Sequence, residues 1–350
     1  MQKALYFMPD ISGFTNFVNH TEVEHSIHII SELLEILLDI AVEDFELAEI
    51  EGDALFLFTT KIPDYKRLLH QTTTMLEKFH EHTKMYETKR ICNCGSCRTT
   101  TNLELKFLVH FGELNFLKIK NIKKPYGREV ITIHRLLKNK VPLKEYILFT
   151  ESAYELYQNK LDETWTKSSE TYDLAQLDYF YKNFEFVKDT IIINEERSDK
   201  RDADYNTPFL KFEHVFIANV DKVYKYISEL KYRHLWDKDA KRIEFEKNKL
   251  NRVGTQHNCV LNIGNLNFET ILSNATDQLV YGETTEDLIL TRHFSYLIKL
   301  DKESENSTRV TTELYVEFTT VGSFMKSNLT RMMKKTWKNK LKNLQNICEK

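Results

Sequence analysis

Two stretches of the chain carry residue types that could do phosphate chemistry: Asp10-Ile11-Ser12-Gly13-Phe14-Thr15 and Glu51-Gly52-Asp53. An Asp at a strand end, followed by a Gly-containing turn, can present both a carboxylate and backbone N–H groups to a phosphate. A second Asp on a neighbouring strand lets two carboxylates share divalent cations, which prefer oxygen ligands. Phosphoryl transfer needs that arrangement because charge on the phosphates and the leaving group must be neutralised. On the residues alone a plainer account stands beside it, in which Asp10 caps a helix starting near Gly13 and Asp53 is a turn residue.

A second group is Cys92, Cys94 and Cys97, a C-x-C-x₂-C spacing on a Gly-containing turn. Three thiolates so close can ligate zinc, but a closed structural site wants four ligands. The fourth could come from His80, His82 or His110, or from a partner chain. Redox chemistry in the Cys94/Cys97 pair is the rival, and three reduced loop thiols the plain alternative. His20, His25 and His28 read as a polar loop and helix face rather than as a ligand set.

The elements that must position these groups follow from periodicity. Ala4–Met8 is an apolar run ending at Pro9-Asp10 and reads as a buried strand. Residues 27–42 carry Ile, Leu and Ala at helical spacing, and residues 45–58 read as a hairpin split at Glu51-Gly52-Asp53. Residues 62–86 are helical again. Residues 103–114 form a strand, with a short one at 116–119. A Lys-rich turn through Pro125-Tyr126-Gly127 enters a helix over 130–137, before a strand at 146–149 and a helix at 151–157. The order β-α-β-β-α-β, with additions, is that of a ferredoxin-like α+β sheet. EERSDKRDADYN, from Glu195, offers no core anchor and reads as a linker. Past it come a strand (209–217), a helix from Val220 to near Trp236, and six regularly spaced strands. A closing helix over 323–347 keeps Phe324, Leu329, Met332, Met333, Trp337, Leu341, Leu344 and Ile347 on roughly one face.

The DISGFT and EGD segments, with the element order around them, resemble the catalytic core of class III adenylyl/guanylyl cyclases from about residue 3 to 160. The resemblance implies that Asp10, the Ile11 carbonyl and Asp53 hold two Mg or Mn ions and that the Phe14 and Thr15 amides grip the triphosphate. Arg135, eight residues past Gly127, falls where the family has its transition-state Arg. Glu49 falls at a base-reading position that is Lys in adenylyl and Glu in guanylyl cyclases. Lys124 takes the other base-reading position, usually Asp or Cys. Ile131 stands where the family has a ribose-positioning Asn, and Lys188 is an unanchored candidate for the late triphosphate Lys. The resemblance also implies a homodimer in which Asp10 and Asp53 of one subunit face Arg135 and the base pocket of the other.

Residues from about 208 to 350 resemble the START-like (polyketide cyclase/lipid-transport, SRPBCC) superfamily. The resemblance is carried by Val220-Asp221-Lys222-Val223-Tyr224-Lys225-Tyr226-Ile227, by Arg233-His234-Leu235-Trp236-Asp237, and by the strands and terminal helix. It implies a helix-grip fold around an apolar cavity for a lipid or other hydrophobic small molecule.

The expected organisation is therefore a nucleotidyl-cyclase-like domain over 1–194, a charged linker over 195–207 and a START-like domain over 208–350. This pairing resembles an uncharacterised bacterial family. The expected function is a divergent nucleotidyl cyclase, turning a nucleoside triphosphate into a cyclic nucleotide under control of the second domain in signalling. The alternative is a non-catalytic scaffold beside a ligand carrier.

Composition bounds these readings. With 350 residues, 41% hydrophobic and 29% charged, the chain is long enough for two cores. A net charge of −3 with mixed signs argues against a nucleic-acid partner held by a broad basic face. No signal peptide and no run of ~20 apolar residues is read, and the cysteine usage suits a reducing cytoplasm.

Overall fold

The computed structural model describes residues 2–19, 23–92, 94–172, 175–192, 207–261, 264–272 and 279–350. His20 and the expected linker, apart from Thr207, lie outside them. The chain divides into two units. One holds residues 1–87 and 95–193, the other 88–94 and 194–350. Both mix helices with sheet. Among the described residues no helix is long and apolar enough to cross a membrane.

The first unit opens with β1 (Lys3–Ser12), α1 (Phe14–Asn19) and α2 (Val23–Ala41). The hairpin β2 (Glu46–Glu51) and β3 (Ala54–Thr59) precedes the long α3 (Tyr65–Thr88). Then come α4 (Gly95–Thr99), β4 (Glu104–Glu113), the small ribbon β5 (Phe116–Ile119) and β6 (Ile122–Pro125), and α5 (Arg128–Leu136). The unit ends with β7 (Tyr146–Thr150), α6 (Glu151–Tyr157), β8 (Thr166–Tyr172), β9 (Ala175–Asn183) and α7 (Phe186–Thr190).

Its main sheet runs β2-β3-β1-β4-β7-β9-β8. The first four strands are antiparallel neighbours, with helices between β1 and β2 and between β3 and β4 and a hairpin between β2 and β3, which is the ferredoxin-like order expected from the sequence. β7 adds parallel to β4, and β9 and β8 extend the sheet antiparallel. The sequence did not signal β8 and β9. β8 (TKSSETY) is a polar edge strand with little apolar alternation.

β1 reads as a continuous apolar run because both of its faces are covered. Tyr6 and Met8 share one side with Phe56, Leu108 and the α5 residues Ile133 and Leu136. Phe7 points to the other side and stacks on Phe45 and Phe107. Each such burial contributes ~1.5–3 kcal/mol. Strand periodicity then puts Asp10 on the Tyr6–Met8 side, the face that α5 covers.

The second unit consists of β10 (Leu210–Phe216), α8 (Val220–Ser228), α9 (Arg233–Trp236), β11 (Arg242–Glu244), β12 (Gln256–Leu261), β13 (Gly264–Leu272), β14 (Leu279–Thr285), β15 (Thr291–Ser304), β16 (Ser307–Phe318), α10 (Thr320–Phe324) and α11 (Lys326–Cys348). Its strands form one antiparallel sheet in the order β10-β16-β15-β14-β13-β12-β11. Residues 88–94 belong here: the Val253 amide donates to the Lys89 carbonyl at 2.9 Å, and Ile91 is part of the core. The inner stripe of α11 is Leu329, Met333, Trp337, Leu341, Leu344 and Cys348. Phe324 and Met332, expected on that stripe, are exposed: Phe324 ends the separate turn α10, and Met332 lies on α11 one position off the buried stripe that takes Met333.

Buried within this unit is a polar cluster. Arg233 is ion-paired to Glu283 and donates to the Tyr296 hydroxyl at 2.6 Å. Tyr281 donates to the same carboxylate, and His257 Nε2 lies 3.6 Å from its other oxygen. Burial alone would raise the Glu283 carboxyl. The Arg233 guanidinium and then His257 outweigh it and hold the group below its ordinary range.

Candidate functional site

Each element around Asp10 has a local reason. Gly13 has φ +88°, a left-handed conformation that lets the chain turn sharply from β1 into α1, whose Phe17 amide bonds the Gly13 carbonyl at 3.0 Å. Gly52 and Asp53 form the two-residue loop of the β2–β3 hairpin, with Gly52 at φ +65° as such a tight turn requires. The Ile11 amide donates to the Asp53 carbonyl at 3.1 Å, which fixes the loop against the end of β1.

Asp10 and Asp53 are brought together. Asp10 is 8% exposed. Burial, and after it the Asp10 carboxylate, push the Asp53 carboxyl up to about 6, against its own backbone amide and Lys106. Ile11 is buried beside them, while Phe14 and Thr15 open α1 with Phe14 half-buried and Thr15 exposed. Paired carboxylates of this kind fit a divalent cation, which offsets both the burial and the Asp10 repulsion that raise Asp53.

Lys106 is a site residue that motif reading missed. β4 runs in register with β1, so Lys106 sits opposite Asp10, its Nζ 2.9 Å from Oδ2. The same ammonium donates to the Leu137 carbonyl at 2.9 Å, just past the C-terminus of α5, where helix carbonyls favour a cation. One signal was available: a lysine inside the otherwise apolar run of β4.

The other expected residues gather in a separate cleft of about 640 Å³. Glu49, Lys124 and Arg135 line it, together with Glu51, His134 and Tyr126. Asp10, Ile11, Asp53, Phe14 and Thr15 do not. Lys124 and Glu49, the two expected base-reading residues, bond each other at 3.0 Å. The Glu51 carboxylate and His134 Nε2 are hydrogen-bonded at 2.7 Å, a pair not read from the sequence. Arg135 and Ile131 are both on α5 and both line the cleft, with Ile131 53% exposed. Lys188 lies elsewhere, its ammonium donating to the Thr101 carbonyl at 2.9 Å.

Of the three histidines considered as a fourth zinc ligand, each is held by a carboxylate. His80 bonds Glu145 at 2.7 Å, His82 lies 2.9 Å from Glu32, and His110 bonds Glu129 at 2.6 Å. His25 instead faces the cysteine group. It is buried in α2, with Nδ1 3.7 Å from the Sγ of buried Cys97 in α4. Ahead of α4 the Cys94 amide donates to Cys92 Sγ at 3.3 Å.

Comparison with known proteins gives a partial match. The family described as "Protein of unknown function (DUF2652)" matches residues 30–146. "Uncharacterized protein Rv2561/Rv2562" of Mycobacterium tuberculosis (strain ATCC 25618 / H37Rv) is 33% identical over 121 residues, 35% of this chain and 57% of the relative. The chain thus spans little more than half the length of that curated relative. Among solved structures, the guanylyl cyclase Cya2 is similar at TM-score 0.41 and 13% identity, over 51% of this chain and 90% of that one. A bacterial light-regulated adenylyl cyclase is similar at TM-score 0.39 and 13% identity, over 51% and 88%. The guanylate cyclase domain of RhGC from Catenaria anguillulae, in complex with GTP, is similar at TM-score 0.36 and 16% identity, over 51% and 95%.

Proposed function

We propose that the first unit is a divergent class III nucleotidyl cyclase that works as a homodimer. The observation that carries this is the placement of Asp53 beside Asp10 at the DISGFT and EGD motifs, with Asp10 paired to Ala54 across the strands and the Ile11 amide bonded to the Asp53 carbonyl at 3.1 Å. Asp10, the Ile11 carbonyl and Asp53 would hold Mg or Mn, which supplies charge neutralisation to the phosphates when bound. The amides of Phe14 and Thr15 would face the triphosphate. The cleft with Glu49, Lys124 and Arg135 would take the nucleotide of the opposite site of the dimer, Arg135 offsetting charge as the 3′-oxygen bonds to the α-phosphorus and pyrophosphate leaves. The separation of the cleft from the Asp pair within one chain is what such an exchange between subunits needs.

A second reading, a non-catalytic nucleotide-binding scaffold, is favoured by Lys106 on Asp10 and by Ile131 in the cleft. For the second unit we propose a helix-grip, START-like domain that binds a hydrophobic small molecule or lipid and regulates the first. The antiparallel sheet and the long C-terminal helix packed into one apolar core support it.

Incubating the purified protein with each of the four ribonucleoside triphosphates and Mn²⁺ or Mg²⁺, scored by mass spectrometry, tests the enzyme reading. A cyclic product that falls on the order of 100-fold in Asp10→Ala and Asp53→Ala supports it. Metal-dependent nucleotide binding with no product from any triphosphate supports the scaffold.

A further inference from the structure

We infer that His25, Cys92, Cys94 and Cys97 form a structural zinc site, with His25 as the ligand that completes the cysteine motif. The observation that points to it is the approach of His25 Nδ1 to Cys97 Sγ, 3.7 Å apart and both buried. Two ligands on one tetrahedral zinc, at Zn–S ≈ 2.3 Å and Zn–N ≈ 2.0–2.1 Å, stand about 3.6 Å from each other. The observed separation is that of a tetrahedron edge. The same separation is spanned by a weak sulfur–imidazole hydrogen bond.

The remaining two donors are tied to Cys97 by the chain itself. Cys94 precedes it by three residues and Cys92 by five, spans of at most roughly 10 and 18 Å when fully extended. Cys94-x₂-Cys97 has the ligand spacing of zinc knuckles, and three cysteines with one histidine is a closed structural set. The Cys94 amide already donates to the Cys92 sulfur at 3.3 Å, an interaction that stabilises a thiolate over a thiol. His80, His82 and His110 are each engaged by a glutamate, and among the described residues His25 is the histidine grouped with the three cysteines.

The site does not depend on nucleotide chemistry, so its test needs no turnover. The full chain is purified without chelators, and its zinc is measured by elemental mass spectrometry beside a count of reactive thiols. One zinc ion per chain is expected, and substitution by Co²⁺ should give the intense ligand-field bands and sulfur charge-transfer absorption of a tetrahedral thiolate site. Cys97→Ser and His25→Ala should each lose the metal. His25→Cys should retain it with added sulfur charge transfer, which separates loss of a ligand from loss of fold. Zinc-free protein that takes up neither Zn²⁺ nor Co²⁺ would overturn the site, as would a Cys94–Cys97 disulfide in freshly purified chain. Zinc held as tightly by His25→Ala as by the parent would overturn the role of His25.

Discussion

The ammonium of Lys106 lies 2.9 Å from Asp10 Oδ2, at the one place on β1 where a cation between two carboxylates is expected. Any divalent ion bound by Asp10 and Asp53 must displace or share that contact. The Asp10–Lys106 pair is largely buried and holds a second bond to the Leu137 carbonyl, so it is more than a surface ion pair.

Lys106→Met should therefore tighten Mn²⁺ binding by on the order of tenfold, equivalent to about 1.4 kcal/mol. The metal-free variant should melt lower than the parent, since two carboxylates then face each other uncompensated. Calorimetric Mn²⁺ titration and thermal melts read both effects. Unchanged or weaker Mn²⁺ binding would contradict the competition.

Asp53 predicts a pH dependence whose sign is fixed. Its folded carboxyl is raised to about 6, above the ordinary value near 4. A raised carboxyl contributes most to stability when both states are protonated, and the contribution is lost as pH rises from about 4 through about 6. Metal-free protein should lose part of its stability across that window, and Asp53→Asn should flatten the loss. Saturating Mg²⁺ should flatten it too. Melting temperatures measured every half pH unit check this.

Lys124 and Glu49 are both about half exposed, and an ion pair of that kind contributes only ~0–1 kcal/mol. Lys124→Gln and Glu49→Gln should leave the melting temperature almost unmoved. Each should nevertheless change the preference among nucleoside triphosphates by at least several-fold in a competition binding assay. A large stability loss with unchanged preference would make the pair structural.

Arg233 and Glu283 are the opposite case, 3% and 0% exposed at the side chain. Removing one partner leaves an uncompensated buried charge, so Arg233→Met or Glu283→Leu alone should cost about 3–5 kcal/mol. The double variant should recover a large part of that, measured by denaturant unfolding as a double-mutant cycle.

Much of the first unit was legible because its signals are local. The apolar run of β1, the Gly52-Asp53 hairpin and the helical stripes fix the element order, and with it the ferredoxin-like strand order. Asp10, Asp53, Glu49, Lys124 and Arg135 could be named from motifs. Their division between a carboxylate pair and a cleft was implied by the resemblance, whereas the residues that join them there, Glu51 and His134, depend on how α5 packs on the sheet. Lys106 escaped notice for a related reason: it meets Asp10 only through the register of β1 with β4, and register is a tertiary property. His25 looked like part of a helix face because its partner, Cys97, is distant in sequence. The exposure of Phe324 and Met332 shows the limit of stripe counting: Phe324 precedes the helix, which begins only at Lys326, and Met332 sits one position off the buried stripe that takes Met333.

The central claim is that the carboxylate pair and the cleft are two halves of one active site, contributed by different subunits. Mixing Asp10→Ala with Arg135→Ala tests it most directly. Each variant alone should be inactive in a triphosphate turnover assay. If the halves meet across a two-fold dimer, half the mixed population is heterodimer with one intact site of two, so turnover should return to about a quarter of the parent's. A mixture as inactive as its components, with both variants folded and dimeric and the parent active, would contradict it.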